Sequence, residues 1–232
     1  MDDFWRRFPA NRLIPELSLW SADLPRLADE FARMDPYAGM YHFDVADGHF
    51  VPEMLFFPDL VAQLRPLTDK PFHVHLMIEN PLAWIAPFAE AGADLITVHH
   101  ENDDVREALA AIHAAGVVAG LVLQLETPVE AAEPFFDEVA LITLMGTRLG
   151  IKGVGLDESA PGRIRALQTL LRAHGLTGQI RVAADGGIRE HTVPQLRAAG
   201  ADTVVMGSLA FKAPDLAECF TWLENLPAPE GV

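Results

Sequence analysis

The sequence predicts a (β/α)8 TIM barrel, and three observations carry that expectation. Short β-type runs alternate with helix-type segments along the 232 residues. Eight such runs fit this length, the count of a (β/α)8 barrel. Most are near-continuous apolar stretches instead of alternating ones, as expected for parallel strands buried on both faces.

The first run, Leu13–Leu19, precedes a helical pattern over Leu24–Ala32. The second, Gly39–Asp44, ends in His42-Phe43-Asp44, and the third, Pro71–Met77, carries His75 near its end. Leu95–His99 follows the return Ala91-Gly92-Ala93-Asp94, and Val117–Leu123 follows Ala115-Gly116; glycine at these points ends a helix and lets the chain turn into a strand. Val139–Met145 is the sixth run, and Arg163–Leu171 is the clearest helical repeat before the seventh, Ile180–Ala184. Thr203–Met206 closes the series after Ala199-Gly200-Ala201-Asp202. A doubly wound open sheet is the alternative. It lacks its G-x-G-x-x-G after the first strand, where Ser18-Leu19-Trp20-Ser21-Ala22-Asp23 stands. No linker or low-complexity tract divides the chain, so one domain is expected over residues 1–232, with an N-terminal extension to about residue 12 and a frayed tail over 226–232.

Seventeen basic residues against 33 acidic ones leave a net charge of −16. That balance argues against nucleic acid and anionic membrane surfaces, which demand basic patches. No apolar run reaches the roughly 18 residues needed to cross a bilayer, and the N-terminus lacks a leader pattern. Cys219, the single cysteine, allows no internal disulfide and reads as a buried small hydrophobe on a terminal helix. The expectation is a soluble cytoplasmic protein.

In a barrel, residues ending different strands converge at one mouth. His42 and Asp44, two apart, share a face; His75 lies on the neighbouring strand and Asp185 across the mouth. Two imidazoles and two carboxylates suit Zn2+, Fe2+, Mn2+ or Co2+ better than Mg2+ or Ca2+. The competing reading makes the four unrelated polar strand ends. Asp44 and Asp185 would flank a substrate from opposite sides, as a two-base proton transfer α to a carbonyl requires. A divalent ion would stabilise the resulting enediolate as a Lewis acid, and the product is the epimer at that carbon.

A second signal lies at the C-terminal end. Gly186 and Gly187 follow the seventh strand and Gly207-Ser208 the eighth, where barrels frequently hold phosphate on backbone N–H groups. The loop after the sixth strand, Thr147 to Gly155, adds glycines and the cations Arg148 and Lys152. These either offset the negative field at a phosphate or are solvated surface charges.

The stretch His42-Phe43-Asp44-Val45-Ala46-Asp47-Gly48-His49-Phe50-Val51-Pro52 resembles the signature of the ribulose-phosphate 3-epimerase family. So do Val74-His75-Leu76-Met77-Ile78-Glu79-Asn80-Pro81, Ala91 to His99, and Asp185-Gly186-Gly187-Ile188; the resemblance runs from about Ser18 to Phe211. It implies a ribulose-phosphate-binding type of TIM barrel that epimerises a ketose phosphate at C3, by default D-ribulose 5-phosphate to D-xylulose 5-phosphate. The metal ligands map onto His42, Asp44, His75 and Asp185, and the acid/base pair onto Asp44 and Asp185. Ser18, Met77 and Met145 match residues that line the family's site. Gly150 and Gly153 keep two glycine positions of its sixth loop, and Gly186, Gly187, Gly207 and Ser208 fall where it holds phosphate. The resemblance also favours a homo-oligomer, with Trp5 and Phe8 either at a subunit contact or capping the barrel bottom.

The departures from the family pattern concern the pocket. Ala46 replaces a methionine, Glu53 an Asn, Phe57 a Gly, and Trp20 a smaller apolar residue. His73 stands two residues before His75 in place of an Asp, with a supporting role expected over ligation. His99 and His100 are not expected to be ligands. Lys152 replaces a glycine in the sixth loop, and its ammonium is expected to substitute for a lost backbone contact to phosphate. A hexulose or tetrulose phosphate is therefore the rival substrate, and a non-catalytic sugar-phosphate-binding paralogue the rival class. A decarboxylase of the related barrels is disfavoured, because its Asp-x-Lys-x-x-Asp cluster is replaced by His73-Val74-His75.

Overall fold

The computed structural model describes residues 2–9, 11–151 and 153–229. Eight parallel strands follow one another around a closed sheet: β1 (Ile14–Ser18), β2 (Met40–Asp47), β3 (Phe72–Met77), β4 (Leu95–His99), β5 (Val118–Leu123), β6 (Leu141–Met145), β7 (Arg181–Asp185) and β8 (Thr203–Met206). β1 pairs with both β2 and β8, which closes the barrel. A two-residue strand, Met54–Leu55, adds antiparallel to the end of β2.

Each expected strand is found, and the largest shift is at the end of β2. The strand runs three residues beyond the expected Asp44, and Asp47 is its last residue. Its Oδ1 accepts the N–H groups of His49 (2.8 Å) and Phe50 (2.9 Å), and its Oδ2 that of Glu79 (2.8 Å). One carboxylate thus stops β2 and ties its loop to the loop after β3. The helix expected over Leu24–Ala32 begins as a 3-10 turn, Leu24–Arg26, and continues as Leu27–Met34. Pro25 in that turn has no N–H to donate, so a tight first turn is cheap there.

The main apolar core fills the space between strands and helices, with Phe31, Phe43, Phe72 and Phe88 fully buried. The barrel interior starts from a second, smaller cluster. Ile14, Met40, Leu95, Leu141 and Ala183 plug its bottom, packed on Phe4 and Trp5. The Trp5 indole N–H donates to the Ala140 carbonyl (3.2 Å), so the N-terminal aromatics cap the bottom. Because side chains alternate along a strand, the residues two positions above this plug face inward as well. They are Glu16, His42, Thr97, Thr143 and Asp185, all buried and all polar. The barrel changes from oil to polar in one layer, and that step builds the floor of a site.

Among the described residues no helix is long and apolar enough to cross a membrane. Cys219 lies on the last helix, Leu216–Glu224, and is only partly buried, which corrects the expectation of a buried hydrophobe. Its sulfur lies 3.8 Å from the Leu209 carbonyl. Of the tail, residues 230–232 lie outside the described residues.

Candidate active site

His42, Asp44, His75 and Asp185 come together at the C-terminal end of the barrel, with one ligand atom of each within 4.8 Å of the others. The first two are i, i+2 on β2. His75 is brought beside Asp44 by the β2–β3 register, and Asp185 arrives from β7 across the mouth. His42 Nε2 lies 3.4 Å from Asp44 Oδ1 and 3.8 Å from Asp185 Oδ2. His75 Nδ1 lies 3.7 and 3.5 Å from the same two oxygens.

None of these separations is a hydrogen bond. His42 Nε2 and His75 Nδ1 are both buried without a hydrogen-bond partner. An orphaned buried polar atom costs about 1–3 kcal/mol, so native proteins rarely leave one. Here two orphans face one point that two carboxylates also face. Four donors of N and O type, converging without bonding one another, fit a divalent transition metal.

The electrostatics agree. Burial pushes the His42 imidazole down, but the Asp44 carboxylate, the hydrogen bond to Glu16 and Asp185 lift it well above its usual value. His75 is also raised: burial opposes protonation, and the nearby carboxylates of Asp185 and Asp44 override it. Asp44 is held far below the usual carboxylate range, since the neighbouring His42 and His75 outweigh its burial. The cluster attracts positive charge, which protons supply when no cation is bound.

Each of the two cluster histidines is held from behind. His42 Nδ1 donates to Glu16 Oε2 (3.1 Å). His75 Nε2 faces His99 Nε2 (2.8 Å), and His99 Nδ1 faces Glu101 Oε2 (3.1 Å). Burial and the neighbouring His75 push His99 down to about 4 despite Glu101, so near neutrality it is uncharged and can accept from His75. Burial pushes Glu101 up, but His99, the Thr127 hydroxyl and the Gln124 N–H bring it down to about 2. Such carboxylate–histidine chains fix the tautomer and aim of a metal ligand.

Above the floor opens a cavity of about 510 Å3. Asp44 and Asp185 reach it from the floor, with Ser18, Met77 and Met145 around them. The Ser18 hydroxyl donates to Asp44 Oδ2 (2.6 Å) and fixes that carboxylate's rotation. Gly186, Gly187, Gly207 and Ser208 line the cavity too, as do Gly150 and Gly153 from the loop after β6. Gly187 has φ +70°, and a Cβ there would come within 2.6 Å of Leu156 Cα, so only glycine lets these loops pass. Trp20 is also in the lining, and Arg148, Arg189 and Lys212 bring positive charge to it. Lys152 lies outside the described residues.

Every other expected site residue therefore borders one cavity or its floor. His73 sits one layer deeper than His75 and is hydrogen bonded to Glu16 (2.6 Å) and Thr97 (2.9 Å), outside the four-residue cluster. His99 stands behind His75 and His100 packs on Phe135. Sequence reasoning missed Glu16, Glu101, Arg189 and Lys212. A signal existed for the first two. Glu16 is a charged residue inside an apolar run, in phase with Ser18, and Glu101 follows His99 by two.

Comparison with known proteins is consistent with this arrangement. The sequence profile of the Ribulose-phosphate 3 epimerase family matches residues 15–211. The chain is 37% identical over 225 residues to a ribulose-phosphate 3-epimerase of Synechocystis sp., covering 95% of this chain and 97% of that one. It is 36% identical to the Bacillus subtilis enzyme of the same name, covering 85% and 92%. With the chloroplastic ribulose-5-phosphate-3-epimerase of Arabidopsis thaliana it shares 34% identity, covering 97% and 81%. Among solved structures, KGPDC from Streptococcus mutans superposes with a TM-score of 0.68 at 16% identity, over 91% of this chain and 97% of that one. Orotidine 5'-phosphate decarboxylase from Pyrococcus horikoshii gives 0.65 at 18% identity, over 91% and 98%. At those identities the structural likeness concerns the fold.

Proposed function

Because the chain belongs to the ribulose-phosphate 3-epimerase family, we propose that it is a metal-dependent 3-epimerase of a ketose phosphate, with D-ribulose 5-phosphate and D-xylulose 5-phosphate as the first pair to test. The observation that carries this reading is the placement of two carboxylates. Asp44 from β2 and Asp185 from β7 face one point from two sides, in a cavity whose lining also holds glycines and cations.

A ketose phosphate fits that polarity. Its phosphate lies against Gly186, Gly187, Gly207 and Ser208, with Arg189 and Lys212 nearby against the net charge of −16. Its C3 then lies between the two carboxylates. One carboxylate takes the C3 proton, leaving an enediolate, and the other delivers a proton to the opposite face of C3. A carboxylate is a weak base for such a proton, so the developing negative charge must be stabilised. A divalent ion held by His42, Asp44, His75 and Asp185 would supply that Lewis-acid stabilisation; Zn2+, Fe2+, Mn2+ and Co2+ all suit the donor set. Ser18 keeps Asp44 turned to its task, while Met77 and Met145 give the reacting end an apolar, water-poor lining. Lys152 belongs to this reading as a further phosphate contact.

A second reading is favoured by Trp20, which lines the cavity where the family pattern has a smaller residue: the substrate is then a hexulose or tetrulose phosphate. A non-catalytic sugar-phosphate binder is disfavoured, since binding alone needs no opposed carboxylate pair. The same reading places the enzyme in the cytoplasm as a homo-oligomer with no nucleic-acid partner. The composition supports the first and last of these and the family resemblance the second. Purified protein assayed with pentulose, hexulose and tetrulose phosphates, with metal content measured on the same sample, tests the proposal. Epimerisation of one of them at C3 by metal-loaded protein is expected; no turnover of any would overturn it.

A further inference from the structure

Beneath the four converging side chains lies a polar layer that does not line the cavity. Glu16 on β1 is fully buried, as are His73 on β3, Thr97 on β4 and Thr203 on β8. The Glu16 carboxylate accepts three hydrogen bonds, from His42 Nδ1 (3.1 Å), His73 Nδ1 (2.6 Å) and the Thr203 hydroxyl. A carboxylate that receives three donors is in its acceptor-only, ionised form. That fixes two tautomers at once. His42 and His73 both carry their proton on Nδ1, and His73 Nε2 accepts from the Thr97 hydroxyl (2.9 Å). His42 Nε2 is the atom left facing Asp44 and Asp185 without a hydrogen-bond partner, and it offers its lone pair when a cation takes the place of the proton held there in the cation's absence.

On the metal-binding reading above, we propose that Glu16 is the positioning residue of the centre. It orients His42 with its Nε2 lone pair toward the ion and strengthens that nitrogen as a donor, while His73 and Thr203 hold Glu16 in place. His73 is then a strut, with both ring nitrogens used in that task. The same geometry makes the carboxylate transferable. His42 and His73 are paired across β2 and β3, with ring centroids 4.5 Å apart, so an aspartate at position 73 would reach His42 Nδ1 from the adjacent strand. A carboxylate behind His42 is needed; the strand that carries it is not.

The test compares Co2+ binding by the wild type, Glu16→Ala, Glu16→Gln, and the double variant Glu16→Ala/His73→Asp. Affinity is read by competition with a chromophoric chelator and ligand geometry by the visible Co2+ spectrum. Loss of an outer partner of a metal ligand weakens binding by about 10–100-fold, and that is the loss expected for Glu16→Ala, with a changed spectrum. Glu16→Gln keeps the volume but turns a donor group toward one imidazole, so it loses affinity in the same direction. The double variant is expected to regain most of the affinity and the wild-type spectrum. If Glu16→Ala does not fold, Glu16→Gln and the double variant decide. Wild-type affinity and spectrum in the Glu16 variants, or no recovery in a folded double variant, would overturn the proposal while leaving the metal site standing. A wild-type protein that takes up no Co2+ would overturn the metal reading itself, and this inference with it.

Discussion

The floor of the cavity and its rim are built differently. The floor consists of strand residues, His42, Asp44, His75 and Asp185, all buried and backed by Glu16 on one side and by His99 and Glu101 on the other. The rim consists of loops in which Arg148 and Ile151 are exposed and the backbone turns on glycines. The four floor residues proposed to hold an ion match the family pattern, whereas of the departures Trp20, Glu53 and Phe57 lie outside the barrel strands and only Ala46 and His73 lie on them. Rigid elements fix geometry to within a fraction of an ångström, which proton transfer and metal binding need. Loops tolerate substitution and select among substrates of one class. The difference teaches that reaction type and substrate choice are separable here, and mutations at the two levels should behave differently.

The largest effect is expected at the floor. Asp44→Asn or Asp185→Asn removes one acid/base group and one metal ligand, so kcat should fall by at least about 10^3-fold. Steady-state kinetics on metal-saturated variants check this, and a variant with nearly full activity would break the two-carboxylate account.

Removal of the ion comes next. Chelated protein should lose activity and regain it with a divalent transition metal. The pH dependence of its stability follows from the raised values of His42 and His75. A histidine raised by folding stabilises fully below its unfolded value of 6.5, and that contribution is lost as pH rises through the folded value. The partner Asp44, lowered by folding, contributes above 3.8 and loses its effect only in acid. Chelated protein should therefore show a Tm that falls as the pH rises above the unfolded histidine value of 6.5, while metal-saturated protein does not. Parallel melting curves with and without chelator read this directly.

Rim variants should act more weakly and on a different parameter. Arg189→Ala and Lys212→Ala each remove charge from the phosphate end, and Lys152→Ala tests the expected replacement contact. Each should raise KM by about 10-fold with kcat nearly unchanged, the signature of lost uniform binding. A drop in kcat alone would erase the division between floor and rim. The smallest change is expected for Trp20→Leu, which should alter the ratio of kcat/KM between pentulose and hexulose phosphates by about 10-fold or less.

The strands were legible in the sequence as local patterns, and the four-residue cluster because each member stands at the end of an apolar run that a barrel brings to one mouth. Buried parallel strands read as apolar runs, and a period of two shows that His42 and Asp44 share a face. The layer beneath was not legible, since it depends on register between distant strands. Glu16 meets His73 across 57 residues and Thr203 across 187. The departure at position 73 was visible as a lost aspartate, but its replacement by Glu16 needed the closed barrel to appear. Arg189 and Lys212 were passed over for a related reason: a surface cation gives no signal until the fold points it at a cavity.

The most direct test of the central claim is proton exchange at C3. Metal-loaded protein incubated in D2O with the ketose phosphate it turns over is followed by NMR for deuterium at that carbon, beside the Asp185→Asn variant. Deuterium at C3 of both epimers with the wild type, and none with the variant, is the predicted result. Exchange at full rate in Asp185→Asn, or epimerisation without solvent deuterium entering C3, would contradict transfer between two opposed carboxylates.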